Sequence, residues 1–327
     1  MNNYLRSFRT GNKRTIARVI SEIENGNIEL LEQLYPFTGH AYYVGITGPP
    51  GAGKSTLVNV IAKHLLTRGK RIGIVAVDPS SPFSGGALLG DRIRMNDLAL
   101  NDKVFIRSMA TRGSLGGLAE KTKDVVLVLD AAGMDFIIIE TIGVGQVELD
   151  VAQVGDTTIV VMVPESGDSI QTMKAGLLEI SDIMVVNKGD RDGAERILTE
   201  LKFAFDLKEP KNGWTCPIIR TVATRNEGID ELVGSLLDHR KYLQTSGRYA
   251  EERKIKAANY FLGLISSNIS SQIHSRISAD RLQNYINDIY ERRINPYKAA
   301  TEIVMRVMNT PIKNKKDQMV KRRGEVL

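Results

Sequence analysis

Gly48, Gly53, Lys54 and Ser55 stand at the spacing G-x-x-x-x-G-K-[ST], within the run Gly48, Pro49, Pro50, Gly51, Ala52, Gly53, Lys54, Ser55 and Thr56. Backbone N–H groups of such a loop cradle phosphates, the lysine reaches the β/γ oxygens and the hydroxyl binds Mg²⁺. The chemistry implied is the handling of a nucleoside triphosphate. The motif carries this meaning only between a strand and a helix. Tyr43 to Thr47 reads as the strand, and Leu57, Val58, Val60, Ile61 and Leu65 read as the helix, whose N-terminus adds a positive dipole end for anionic phosphate.

Asn187-Lys188-Gly189-Asp190 directly follows the apolar run Ile183 to Val186 and matches the N-K-x-D guanine signature. A carboxylate at Asp190 can accept hydrogen bonds from the guanine ring N–H and its exocyclic amine; adenine offers an acceptor there and lacks that amine. Hydrogen bonds to a charged group contribute ~1.5–3 kcal/mol each, so losing two should exclude ATP. The bound nucleotide is therefore expected to be GTP or GDP. Thr221-Val222-Ala223-Thr224-Arg225 occupies the place of the last guanine-contacting loop. Val222 stands where that loop usually has serine, which leaves a backbone N–H, from Ala223, to meet the guanine carbonyl oxygen.

Glu140-Thr141-Ile142-Gly143 sits where GTPases place D-x-x-G. Glu140 can hold Mg²⁺ directly or through water, and the Gly143 N–H can sense the γ-phosphate. Val144 follows, where Ras-like enzymes orient the attacking water with a glutamine, so hydrolysis needs another group or is slow in the isolated protein. Asp78 and Asp91 are two further carboxylates near the expected Mg²⁺, and Arg92 and Arg94 could neutralise transition-state charge. Asp91 could equally be a surface helix residue. The loop Glu165 to Lys174, with Asp168 and Gln171, is by itself balanced between a helix cap and a functional loop.

The elements that must position these groups alternate. Apolar runs at Ile72 to Val77, Val104 to Ile106, Phe136 to Ile139, Thr158 to Val163 and Ile183 to Val186 are separated by helical segments. This is the pattern of an α/β fold with a parallel sheet covered on both faces, whose ligands bind outside the carboxyl ends of the strands. Asp78, Glu140, Glu165 and Asn187 should then converge on the phosphate loop. Before the sheet, Ile16, Val19, Ile20 and Ile23 share a helical face, and Ile28 to Leu34 continues the pattern. Ile229 to Leu237 closes the domain. Beyond Gly247 the style changes: Ile255, Ala258, Leu262, Ile265, Ile269, Ile273 and Ile277 form a long stripe, Leu282, Tyr285, Ile286 and Ile289 a second, and Asn295-Pro296 starts a third helix. These stripes need cover from their own domain, a second copy or a partner. The organisation expected is an N-terminal helical extension over 1–41, a P-loop GTPase domain over 42–245 and a C-terminal helical segment over 246–327.

The 327 residues are 42% hydrophobic and 25% charged, with one cysteine, Cys216. No apolar run nears the ~20 residues of a membrane span and no signal-type segment opens the chain, which points to the cytoplasm. A single cysteine rules out an intramolecular disulfide framework and suits a small buried apolar residue. The net charge of +6 is interleaved except from Lys313 to Arg323, which lacks aromatics for base stacking, so nucleic acid is not an expected partner.

The blocks G-P-P-G-A-G-K-S-T, V-D-P-S-S-P-F-S-G-G-A-L-L-G-D-R-I-R-M, E-T-I-G-V-G-Q-V-E, V-P-E-S-G-D-S-I-Q-T-M-K-A-G and N-K-G-D together resemble the MeaB/ArgK (MMAA-like) family of metallochaperone-type GTPases. The resemblance covers nearly the whole chain. It implies a homodimeric P-loop GTPase that serves an adenosylcobalamin-dependent acyl-CoA mutase, typically methylmalonyl-CoA mutase, with a cobalamin adenosyltransferase as a further possible partner. GTP hydrolysis would time delivery of intact cofactor and removal of damaged cofactor. By the same resemblance Ser55, Asp78, Asp91 and Glu140 surround Mg²⁺, Arg94 lies in the first switch, the loop with Asp168, Gln171 and Lys174 responds to the partner, and the C-terminal helices form a dimerisation arm. The catalytic set carried over is Lys54, Asp91, Arg94, Glu140 and Lys174. Two rivals are weighed: a nickel-insertion accessory GTPase, against which His40, His64, His239, His274 and Cys216 are scattered, and a small-molecule P-loop kinase of the arginine/ornithine transport type, against which Asp190 selects the wrong base.

Overall fold

The computed structural model describes residues 7–79, 95–111, 117–141, 147–164, 175–207 and 213–308. Its centre is a seven-stranded sheet in the order β3-β2-β4-β1-β5-β6-β7, every pairing parallel. The strands are β1 (Tyr42–Thr47), β2 (Ile72–Pro79), β3 (Val104–Thr111), β4 (Phe136–Thr141), β5 (Thr157–Met162), β6 (Ile183–Val186) and β7 (Ile218–Arg220). Six correspond to the apolar runs of the sequence. β7 was not expected, because three residues with only Ile219 buried carry too short an apolar signal.

Both faces of the sheet are covered, and the side chains alternate between them as strand geometry demands. Tyr42, Val44 and Ile46 of β1 and Phe136 and Ile138 of β4 join one buried cluster with the helix Lys54–Thr67 and the helix Ile229–Thr245. Tyr43, Ile137 and Ile139 join the other, against the helix Gly117–Ala131 and the N-terminal helices. The helix Lys13–Glu24 buries Ile16, Val19, Ile20 and Ile23, the face read from its spacing, and is capped by Asn12 Oδ1 accepting the Thr15 N–H at 3.0 Å. Cys216, expected to be buried, is half-buried, with Sγ 3.8 Å from Ser181 Oγ.

Two buried carboxylates fix the edge of the sheet where the strands begin. Asp130 accepts from the N–H groups of Gly39 (2.7 Å), His40 (3.1 Å) and Ala41 (2.9 Å) and from the Tyr43 hydroxyl (2.6 Å). Burial, reinforced by Asp130, pushes the Tyr43 hydroxyl far above its ordinary range, so it stays a donor. Asp156 accepts the Tyr43 N–H at 2.8 Å and both Nε (3.0 Å) and Nη2 (2.6 Å) of Arg253, which also donates to Ala41 O at 2.6 Å. The Arg253 guanidinium lies 4.5 Å from the ring centroids of both Tyr43 and Tyr249. None of this was visible in the sequence, since the partners lie 97 and 212 residues from Arg253.

The chain divides into two compact units, Met1–Ala258 and Asn259–Leu327. The helix Arg248–Arg276, expected from its stripe, passes from one to the other, and Ala279–Tyr290 and Pro296–Met308 follow. Within the second unit Arg276 Nη1 donates to Val307 O at 2.7 Å, and the Pro296 start is capped by Asn295 Oδ1. Among the described residues the first two stripes are largely open, with Leu262 59% exposed, Ile265 39% and Ile286 49%, whereas Val307 of the last helix is buried.

Replacing Asp130 with alanine strands the Ala41 N–H and the Tyr43 phenol in a buried site and leaves the part-buried N–H groups of Gly39 and His40 to water. Each orphaned group costs ~1–3 kcal/mol, so Asp130→Ala should lower stability by about 3–5 kcal/mol, read as a fall in the urea midpoint.

Candidate nucleotide site

Parallel pairing brings the carboxyl ends of all seven strands to one edge, and the phosphate loop leaves β1 there. The loop holds three glycines at positive φ: Gly48 (138°), Gly51 (74°) and Gly53 (86°). A Cβ on Gly48 would sit 2.1 Å from Val161 O of β5, and one on Gly53 would sit 2.4 Å from Asn187 Nδ2. Those two glycines are therefore required by close approach as well as by conformation. The cradle rests against β5 on one side and the guanine-signature loop on the other.

Lys54 is buried and donates Nζ to Gly48 O (2.7 Å) and Pro49 O (2.9 Å), which folds the side chain back over the loop where phosphate oxygens offer equivalent acceptors. Ser55 Oγ donates to Glu140 Oε1 at 2.6 Å, both side chains buried. The sequence placed these two residues around one cation, and the fold brings them together across 85 residues. Hard oxygen donors of this kind suit a divalent cation such as Mg²⁺. Thr141 Oγ1 donates to Thr47 Oγ1 at 3.0 Å, fixing the end of β4 against the end of β1.

Asn187, at the end of β6, is buried and makes three side-chain hydrogen bonds. Its Nδ2 donates to Ala52 O at 2.8 Å; its Oδ1 accepts from Thr221 Oγ1 at 3.1 Å and from the Ala223 N–H at 3.2 Å. The phosphate loop and the last loop are thus tied through one amide. The Ala223 N–H, expected to face the guanine carbonyl, meets Asn187 in this arrangement, while Val222 and Ala223 are buried and Thr224 is exposed. Lys188 adopts a left-handed conformation, φ 56°, unusual for a residue with a side chain. It turns the chain so that the Gly189 N–H donates to Thr221 O at 2.9 Å and Asp190 stands at the surface.

Of the remaining expected residues, Pro49, Pro50 and Thr56 lie in or beside the cradle, and Asp78 lies at the carboxyl end of β2, paired with Ala110. The side chain of Asp78 lies outside the described residues, as do Asp91, Arg92, Arg94, Gly143, Val144, Glu165, Asp168, Gln171 and Lys174. Among the described residues no group of three or more His, Cys, Asp or Glu side chains gathers as a metal cluster, and no helix is long and apolar enough to cross a membrane.

A parallel sheet with this loop, lysine, hydroxyl and guanine-signature asparagine defines a P-loop GTPase. Residues 14–278 match the family model described as methylmalonyl Co-A mutase-associated GTPase MeaB, and the chain belongs to that family. A protein of Pyrococcus abyssi named as a GTPase is 46% identical over 304 residues, 91% of this chain and 94% of the relative. The GTPase ArgK of Escherichia coli is 32% identical over 288 residues, 85% and 87% of the two chains. The methylmalonic aciduria type A homolog of Mus musculus, described as mitochondrial, is 37% identical over 245 residues, 74% of this chain and 58% of the relative. Among solved structures, a LAO/AO transport system kinase superposes with a TM-score of 0.73 at 25% identity, covering 94% of this chain and 97% of that one.

Because Asn187 holds both loops, Asn187→Ala removes one donor and one acceptor and leaves Ala52 O, Thr221 Oγ1 and the Ala223 N–H to find new partners. Two or three such bonds at ~1 kcal/mol each predict a loss of GDP affinity of about 10- to 100-fold, measured by titration with a fluorescent GDP analogue.

Proposed function

We propose that this GTPase serves an adenosylcobalamin-dependent acyl-CoA mutase such as methylmalonyl-CoA mutase, binding and hydrolysing GTP to gate loading, protection and reactivation of that enzyme's cofactor. The observation that carries this reading is membership, over residues 14–278, of the family described as methylmalonyl Co-A mutase-associated. Likeness to the methylmalonic aciduria type A homolog supports it.

In this reading Asp190 accepts the guanine ring N–H and amine, Asn187 holds the loops in register, and Lys54 and the loop N–H groups bind the β/γ-phosphate oxygens. Ser55 and Glu140, joined by Asp78 and Asp91, hold Mg²⁺, which neutralises charge on those oxygens. Arg94 and Lys174 supply further cationic groups when the partner binds. The absence of a glutamine after Gly143 in the sequence suits a protein that is slow alone. The protein acts in the cytoplasm as a homodimer through its C-terminal helices. The exposed Leu262, Ile265 and Ile286 support that assignment, since such stripes are normally covered. A cobalamin adenosyltransferase is a further partner.

Hydrolysis measured with and without the cognate mutase tests the gate. Ordering one cation at the γ-phosphate permits stimulation of up to ~10³-fold, abolished by Lys174→Ala. Equal rates in both conditions, unaltered by Lys174→Ala, would show the gate does not exist. The base reading is tested separately: Asp190→Asn reverses one hydrogen bond and should shift preference from GTP to xanthosine triphosphate.

A further inference from the structure

The Asp190 carboxylate has a partner within the protein. Arg225 Nη2 lies 3.1 Å from Asp190 Oδ2, and Arg225 Nη1 lies 4.0 Å from Glu227 Oε1. The last loop aims this arginine. Ala223–Arg225 forms a single 3-10 turn, closed by Asn226 in the left-handed region at φ 59°. Val222 and Glu227 exchange backbone hydrogen bonds of 3.1 and 3.3 Å across its base. On the other side, left-handed Lys188 and the Gly189 N–H on Thr221 O set where Asp190 stands. The pair is therefore held by two rigid turns that the shared Asn187 hydrogen bonds keep in register.

A guanine edge that uses both carboxylate oxygens must take Oδ2 from Arg225 or share it. Resting on the reading of Asp190 as the guanine acceptor, we propose that Arg225 is a positioning residue that competes with the guanine base for Asp190. It occupies Oδ2 of the carboxylate and so sets how quickly a guanine nucleotide can engage it. The neutral, two-donor edge of guanine repays the ion pair it displaces; the edge of adenine, with an acceptor facing Asp190, repays nothing.

The side chains of Arg225 and Asp190 are 60% and 33% exposed, which places the pair among the weaker ion pairs. Its removal should change nucleotide engagement by about two- to five-fold. The sign is diagnostic. Loss of a competitor raises the association rate and leaves dissociation unchanged, whereas loss of a cation that supports the base, or that attracts the phosphates, lowers association or speeds dissociation.

The test is stopped-flow binding of a fluorescent GDP analogue to the full chain, for the wild type, Arg225→Met and Arg225→Lys, at 50 and about 500 mM salt. Debye screening at the higher salt weakens the exposed pair. The expected result is a two- to five-fold faster association for Arg225→Met at low salt, an intermediate rate for Arg225→Lys, unchanged dissociation, and convergence with the wild type at high salt. Unchanged or slower association for Arg225→Met, or a gain that ignores salt, overturns the proposal. Asp190→Asn measured alongside separates the two levels: if it leaves GDP affinity intact, the guanine reading itself fails. If it weakens GDP while Arg225→Met changes nothing, only the role of Arg225 fails.

Discussion

The site depends on one buried amide. Asn187 gives a hydrogen to Ala52 O in the phosphate loop and takes two from Thr221 and Ala223 in the last loop, at 2.8, 3.1 and 3.2 Å. The last loop is closed by its own Val222–Glu227 backbone bonds and the phosphate loop rests on β5, and this side chain ties the two together. Buried amides carry a large penalty when left unpaired, which makes the arrangement close to all-or-none. Gly53 is required for the same reason, because any side chain there would collide with Asn187 Nδ2. The phosphate loop and the last loop are thereby one structure built around the end of β6.

The opposite edge of the sheet shows how the framework tolerates such a polar site. Asp130 and Asp156 pin the segment entering β1, and Arg253 adds a planar fork that satisfies Asp156 with two donors while its face covers Tyr43 and Tyr249. Each buried charge is paired or accepts several hydrogen bonds, so its desolvation is offset locally. β1 runs from this anchored edge directly into Gly48, and β5 runs from Asp156 to Val161, whose carbonyl packs on Gly48. The two strands that hold the phosphate loop are those fixed at their other ends by Asp156.

The sequence made the sheet and the site motifs legible because both rest on local signals. Continuous Val/Ile runs announce buried parallel strands, and G-x-x-x-x-G-K-S and N-K-x-D carry their chemistry in eight and four adjacent residues. Ser55 meeting Glu140 followed from motif logic. The Asn187 bridge, the Asp130 cage and the Asp190–Arg225 pair did not, since each joins residues separated by chain lengths that no periodicity encodes. β7 escaped notice because Ile218 and Arg220 are not buried and leave no apolar run. The three C-terminal helices were evident from their stripes, but an apolar stripe says only that a face requires cover: among the described residues Leu262 and Ile286 stay exposed, while Ala299 and Val307 of the last helix are buried.

The central claim is that nucleotide state and partner binding are coupled, and coupling is reciprocal at equilibrium. The most direct measurement is therefore the affinity of the full chain for the cognate adenosylcobalamin-dependent mutase, titrated separately with a non-hydrolysable GTP analogue, with GDP and with no nucleotide. The account predicts affinities that differ between the GTP analogue and GDP by about 5- to 150-fold, with the mutase changing the affinity for each nucleotide by the matching factor. Identical mutase affinity in all three conditions, or no binding in any, would contradict it.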